Sequence, residues 1–280
     1  MCEFCHKHGD GKKWYLQAKN YGEDLLADAR RRQFIRDFLG SPEHLAEDSA
    51  RLEQFAKLPA FVRRAVGAVV TGRQKKIHFG QVVPLEDLQE ILGFVNSIVR
   101  TPCICRHITT GKDVGYCYGI VMGPGAGLAK VLRGVDSSFG AGPDTVRFER
   151  LKGEQALEAL REHEQEGLCH TVWTFHTPFI GGICNCDRAD CLAMRSTVTH
   201  GLKVMWRAEY VASVDPDACV GCRACMRLCQ FGALGYSAAT KKAVVDQTAC
   251  YGCGICRSAC TTGAIKLTPR AEVPAVAAVW

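Results

Sequence analysis

The last third of the chain repeats one short cysteine pattern, and no other feature restricts its fold as strongly. Val214-Asp215-Pro216-Asp217-Ala218-Cys219 returns as Val245-Asp246-Gln247-Thr248-Ala249-Cys250, at an offset of 31 residues. The offset persists: Cys222 maps to Cys253, Cys225 to Cys256, Cys229 to Cys260, and Gly232-Ala233-Leu234 to Gly263-Ala264-Ile265. Each unit reads Cys-x2-Cys-x2-Cys-x3-Cys-x2-Gly-Ala-[Leu/Ile]. Three thiolates at this spacing let one short loop wrap three corners of an iron–sulfur cube while its amides point at the sulfurs. The fourth cysteine opens a helical turn that faces away from its own loop.

Residues from about 211 to 268 resemble a bacterial-type two-cluster ferredoxin domain. In that family the fourth cysteine of each run ligates the other cluster. The resemblance therefore implies one [4Fe–4S] cluster on Cys219, Cys222, Cys225 and Cys260, and a second on Cys250, Cys253, Cys256 and Cys229. Val244-Val245 and Ile265-Lys266-Leu267 read as short strands beside the loops. The family usually has proline after the fourth cysteine, whereas Gln230 and Thr261 stand there. That change bears on turn rigidity and reduction potential rather than on ligation. Zinc is the competing occupant, but structural zinc uses four ligands per site and not this paired eight-cysteine pattern.

The chain has 17 cysteines, so nine lie outside the repeat: Cys2, Cys5, Cys103, Cys105, Cys117, Cys169, Cys184, Cys186 and Cys191. Two groups share a Cys-x-Cys core. Pro102-Cys103-Ile104-Cys105-Arg106-His107 is followed by Cys117, and Ile183-Cys184-Asn185-Cys186 by Cys191. On an extended chain, residues i and i+2 project to one side, so each pair can grip one metal or cluster. Arg106 is placed to offset negative charge. With Cys2 and Cys5 these six make eight, enough for one or two further [4Fe–4S] clusters. Cys169 is left over and reads as a core thiol. If only three cysteines meet a cube, one iron stays open, and His107 or His176 could approach it. Cys2-x-x-Cys5-His6 also matches a haem-attachment spacing, although the chain shows no export signal; His6 and His8 would suit a metal as well.

The cysteine clusters and the absence of a signal-peptide pattern place the chain in a reducing cytoplasm. No run of 18 apolar residues is present, so no membrane span is expected. The formal charge of +6 is mild. Each oxidised four-thiolate cluster adds about −2, which brings the holoprotein close to neutrality. Residues 54–85 nonetheless hold six cations (Lys57, Arg63, Arg64, Arg73, Lys75 and Lys76) and no acidic residue. This is a solvated helix face or a docking face for an acidic redox partner, and Arg30-Arg31-Arg32 could extend it. No nucleic-acid motif accompanies the charge.

Apolar spacing near 3.6 predicts helices over 22–39, 43–57, 60–70 and 153–166. Another opens at Pro84, with Leu85, Leu88, Leu92, Val95 and Val99 on one face, and leads to the first Cys-x-Cys. The glycine-rich residues 119–147 fit neither a phosphate-binding loop nor a dinucleotide fingerprint and read as a loop packed over a cluster. The expected fold class is α+β: a mainly helical, cysteine-containing domain over 1–205, then a small ferredoxin-like two-cluster domain over 206–268. Residues 269–280 form a tail, read as a flexible extension or a docking strand.

Pro102 to Arg106, Gly167-Leu168, Cys184 to Cys191 and the repeat together resemble uncharacterised cytoplasmic iron–sulfur proteins of anaerobes. That resemblance implies electron transfer and names no substrate. The leading expectation is an electron-carrier subunit or partner of a larger redox enzyme, relaying single electrons through the clusters. Two alternatives stay open. One is a reductase with an open-iron catalytic cluster on the Cys103/Cys105/Cys117 and Cys184/Cys186/Cys191 groups. The other is a redox sensor or cofactor-assembly factor.

Overall fold

Helix-breaking residues divide the first part of the chain into four helices. The computed structural model describes residues 13–112, 114–123, 126–133, 135 and 148–279. Cys2, Cys5, His6 and His8, and with them Pro124, Gly125, Gly134, Gly140 and Gly142, lie outside the described residues. The expected helix over 22–39 is two helices, α1 (Glu23–Leu26) and α2 (Ala29–Gly40). Asp28 separates them because its side chain accepts from the Arg31 amide at 2.8 Å, an N-cap that starts a new helix. Pro42 opens α3 (Pro42–Ala56), where its missing N–H costs nothing. Pro59 precedes α4 (Ala60–Ile77), which runs past the expected end at 70. Lys75 and Lys76 suit its carbonyl end.

Beyond residue 78 the chain alternates short strands and helices: β1 (Gly80–Val82), α5 (Leu85–Phe94), β2 (Ser97–Thr101), α6 (Ile104–Thr110), β3 (Cys117–Val121), α7 (Ala126–Leu132), β4 (Glu149–Leu151), α8 (Gly153–Gln165), β5 (Cys169–Thr174), β6 (Ile180–Cys186), α9 (Leu192–Met194) and β7 (Met205–Trp206). The strands form one seven-stranded sheet, β4-β2-β3-β6-β5-β1-β7, antiparallel except between β1 and β7. The fold is α+β as expected, yet the repeat-free part of the chain is organised on this sheet, which the helical spacing did not reveal. The helix from Pro84 ends at Phe94, so Val95 lies just beyond it. Val99 belongs to β2, where Ile98 and Val99 suit a pleated surface. Gly119, read as part of a loop, lies within β3.

Alternation along the strands sorts the two faces. Ile98, Ile120, Val172 and Ile183 join α5 and α8 in one core, with Trp14, Tyr15 and Tyr21. Val99, Val121, Cys169, Trp173 and Cys186 face the other way, into a core shared with Leu26, Ile35 and Leu128. The cysteines of β3, β5 and β6 thus share the face covered by α2.

The repeat folds around two two-stranded antiparallel sheets. β8 (Tyr210–Val214) pairs antiparallel with β11 (Ile265–Pro269), and β9 (Leu234–Ser237) with β10 (Lys242–Val245). α10 (Ala224–Leu228) follows the first loop, and a single 3-10 turn, Ile255–Arg257, the second. Hydrogen bonds recur at the repeat offset. The amides of Cys219 and Cys250 donate to the carbonyls of Asp215 and Asp246, each at 3.0 Å. The side chain of Asp215 accepts from the Asp217 and Ala218 amides, and that of Asp246 from Thr248 and Ala249. The residues after 268 fold back: Val276 is buried, and the buried Arg270 donates to the carbonyls of Ala208, Tyr210 and Cys250. Among the described residues, no helix is long and apolar enough to cross a membrane.

Candidate iron–sulfur centres

Positive backbone angles bend each repeat loop around its cysteines. Gly221 (φ +70°) and Gly252 (φ +71°) occupy equivalent positions, as do Arg223 and Gly254, and Gly232 and Gly263. A Cβ on Gly221 would lie 2.2 Å from the Lys241 carbonyl oxygen, and one on Gly252 2.1 Å from that of Tyr210. Both glycines are therefore required twice over, for the left-handed conformation and for close approach.

The loops bring the expected quartets together. Cys219, Cys222, Cys225 and Cys260 line one small cavity with Val214 and Ile265. Burial raises the pKa of Cys225, helped by the charges of Cys222, Cys260 and Cys219. Burial likewise raises Cys256, together with Cys253, Cys250, Cys229 and then Cys225. The two groups are thus adjacent, with Cys229 and Cys260 exchanged between the halves. Among the described residues, no three His, Cys, Asp or Glu side chains converge closely enough to ligate a single metal ion.

The sulfurs accept backbone hydrogen bonds of the kind an anionic cluster needs. The Ala212 and Gly252 amides donate to Cys250 Sγ at 3.4 Å, and the Ala233 amide to Cys229 Sγ at 3.2 Å. Cys260 accepts from the amides of Ala264, Ile265 and Thr262, which with the Thr262 hydroxyl hold its pKa below the usual thiol value against desolvation. Such donors favour the charged sulfur. The donor set fits [4Fe–4S] centres on both quartets.

The halves differ in their surroundings. In the first loop Cys222 is exposed and Val220 is 67% exposed. The equivalent of Val220 is Tyr251, whose ring stacks on Phe231 at 4.1 Å and lies 4.4 Å from the Arg207 guanidinium. Ile255 and Cys253 pack into the core beneath the sheet. Arg257 forks onto Glu86 of α5, with Nη2–Oε2 at 2.8 Å, so its charge is largely matched. Gln230, which replaces the family's proline, donates to the Gly167 carbonyl at 2.8 Å and accepts from the Arg188 amide at 3.0 Å. Both partners lie before the repeat, so this departure ties the ferredoxin-like unit to the sheet.

The six remaining described candidates meet at one place. β3–β6 pairing sets Cys117 opposite Cys184. Cys103 and Cys105 lie at the start of α6, and Cys191 at the start of α9. The thiols of Cys103, Cys117 and Cys184 neighbour one another in one string. Cys105, Cys191 and Cys186 form a second string beside it. Each string has one thiol with a lowered pKa. Cys103 is lowered by its neighbour Cys117, then by Arg106. Cys191 is lowered by Cys105 and Cys186, aided by the Met194 amide. Neighbouring thiols and burial push Cys105, Cys117 and Cys186 up. Arg106 is where the sequence placed it: 2% exposed, 3.5 Å from Cys103 Sγ, paired with Asp187 and donating to the Asn185 carbonyl at 3.0 Å. A pair of three-thiol groups beside a buried guanidinium has the donors and the charge to hold an anionic metal–sulfur centre.

Three expectations change. Cys169 is buried, as expected, but its thiol also neighbours that of Cys253 and faces Cys191 and Cys229 electrostatically. It stands between the six-cysteine group and the second quartet. Sequence order carries no trace of this, because the contact depends on β5 reaching under the repeat. Neither His107 nor His176 lines the cavity onto which the six cysteines open. His176 instead packs edge-on against Phe34. Arg31 does not extend a basic surface, since it is buried and donates to the carbonyls of Phe175 and His176.

Residues 218–264 match the family model of the 4Fe-4S dicluster domain. No curated protein matches the chain. The match and the geometry together support a ferredoxin-like iron–sulfur domain at the C-terminal end that binds 4Fe-4S centres and works in electron transfer.

Proposed function

We propose that this chain is the electron-carrying partner or subunit of a larger redox enzyme, with [4Fe–4S] clusters on two C-terminal quartets. Cys219, Cys222, Cys225 and Cys260 form one quartet; Cys250, Cys253, Cys256 and Cys229 form the other. A further iron–sulfur site uses Cys103, Cys105, Cys117, Cys184, Cys186 and Cys191, with Cys2 and Cys5 available to complete a second. The observation that carries this reading is the convergence of thiols into separate groups, with amide or guanidinium donors aimed at their sulfurs. A [4Fe–4S] cluster supplies one-electron chemistry, its potential set by such hydrogen bonds, by burial and by net charge.

The protein's own residues give the molecule a direction. The first quartet lies beside solvent at Cys222 and Val220, the side that an external partner can approach. The second is turned inward, where Cys253 meets Cys169 at the edge of the six-cysteine group. Cations Arg64, Arg73 and Lys76 of α4 are available to steer an acidic partner. A cytoplasmic setting follows from the reliance on free thiols.

Iron and acid-labile sulfide per chain, measured on anaerobically purified protein, test the proposal. About eight irons confine the clusters to the two quartets, and about sixteen extend them to the six-cysteine group with Cys2 and Cys5. Protein that stays free of iron after chemical reconstitution under strict oxygen exclusion overturns it.

A further inference from the structure

α4 is 18 residues long, carries six aliphatic or aromatic side chains larger than alanine, and buries none of its residues. A helix of that composition should seat an apolar stripe on a core. Its outward face shows Phe61 and Val69, each 74% exposed. Its inward positions Val66, Val70 and Gln74, spaced four apart on one side, line a cavity instead of a core. The cavity has a volume of about 590 Å³ and separates α2–α4 from the sheet face that carries Cys117 and Cys184. Leu58, where α3 turns into α4, and Val66 within α4, each 39% exposed, line its outer end. The six-cysteine group, Cys103, Cys105, Cys117, Cys184, Cys186 and Cys191, lines its inner end, and Cys169 does not.

Size and wall chemistry define what fits. Small-molecule sites span roughly 300–1,000 Å³, with apolar walls and a few polar groups. Phe38, Phe55 and Phe175 supply aromatic surface here. The charged groups in the wall are matched. Arg51 pairs with Asp48 at 3.0 Å, and Arg106 with Asp187. His78 donates from Nδ1 to the Thr174 carbonyl at 2.5 Å and is neutral near pH 7, because burial pulls its pKa down to about 4. Away from the six cysteines the wall keeps no unmatched charge to hold an ionic ligand, while Gln74 offers a neutral amide.

We propose that this cavity binds an uncharged, largely apolar small molecule with a ring system, its inner end against the six cysteines and its outer end at Leu58 and Val66. The binding site rests on the cavity wall alone. That its ligand meets a redox centre rests on the iron–sulfur reading of the six cysteines, and would favour a reductase over a simple carrier.

Equilibrium dialysis of N-phenyl-1-naphthylamine against the anaerobic holoprotein tests the site, with iron counted on the same samples. The expected result is one saturable site. Val70→Trp, which fills the cavity from α4, weakens binding by at least roughly ten-fold. Val69→Trp, on the outward face, leaves it unchanged. Absence of saturable binding, or equal behaviour of the two variants, overturns the proposal. Saturable binding with iron confined to the quartets keeps the cavity and removes the redox contact. Iron beyond the quartets without binding does the reverse.

Discussion

Replacing Gly252 by alanine separates a backbone requirement from a packing requirement at the second quartet. Gly232 is the internal control. Both glycines have left-handed backbones, at φ +71° and +68°. An L side chain costs about 1–2 kcal/mol in that region. The surroundings differ. A Cβ on Gly232 meets nothing within 4 Å, whereas one on Gly252 lies 2.1 Å from the Tyr210 oxygen and 3.2 Å from the Ala208 Cβ. The Tyr210 carbonyl cannot yield freely, since it accepts from Arg270 at 2.7 Å. The loop must therefore move, carrying Cys250 and Cys253 with it. Forced overpacking of this kind costs about 1–3 kcal/mol. Gly232→Ala should thus lose about 1–2 kcal/mol and Gly252→Ala about 2–5 kcal/mol. Bleaching of the visible iron–sulfur absorbance at fixed temperature reads the difference as a rate, together with iron per chain at purification. Gly252→Ala should bleach at least roughly five-fold faster than Gly232→Ala. Equal rates and equal iron would refute the close approach of this loop to β8.

The same reasoning reaches other residues. Cys225→Ser should remove a ligand of the solvent-side quartet and lower iron by about four per chain, leaving a spectrum of the second quartet; unchanged iron and spectra would count against the assignment. Arg106→Leu strands Asp187 and the Asn185 carbonyl, and should cost about 3–5 kcal/mol in urea unfolding. The Arg106→Leu, Asp187→Leu pair should recover part of that loss. His163 and His170 are held near pKa 4 by burial, so the unfolded chain binds more protons once the pH falls below about 6.5. Stability should therefore drop between pH 6.5 and 5 by about 2 kcal/mol per histidine, and His170→Gln should flatten the profile measured by urea unfolding. Cys169→Ala removes the neighbouring thiol that favours the charged form of Cys253 and should lower the potential of the second centre in an EPR-monitored titration without loss of iron; an unshifted potential would show that the contact is not electronic.

The repeat was legible because its chemistry is local. Ligand spacing, turn glycines and the β8–β11 and β9–β10 strands all fall within one span of about 60 residues. The sheet domain was read less well. β5 (Cys-His-Thr-Val-Trp-Thr) is buried on both faces and shows no clean alternation, so its period is ambiguous in sequence. The helix expected from Pro84 was extended through Val95 and Val99, because those valines fit a 3.6 spacing by coincidence while cross-strand pairing decides their state. The six cysteines were picked out by their Cys-x-Cys cores. That they form one site follows from β3–β6 register, which no local pattern encodes. Gln230 was visible only as a missing proline, and its role became clear once Gly167 and Arg188 were beside it.

Tyr251 under its aromatic and cationic cover, and Val220 left bare, make two copies of one motif chemically unequal. Dioxygen and chelators reach the uncovered copy first, so exposure to air should strip the protein in two phases, with the sheltered half outlasting its twin. Ageing from one end would leave a half-loaded species whose remaining iron still adjoins the sheet.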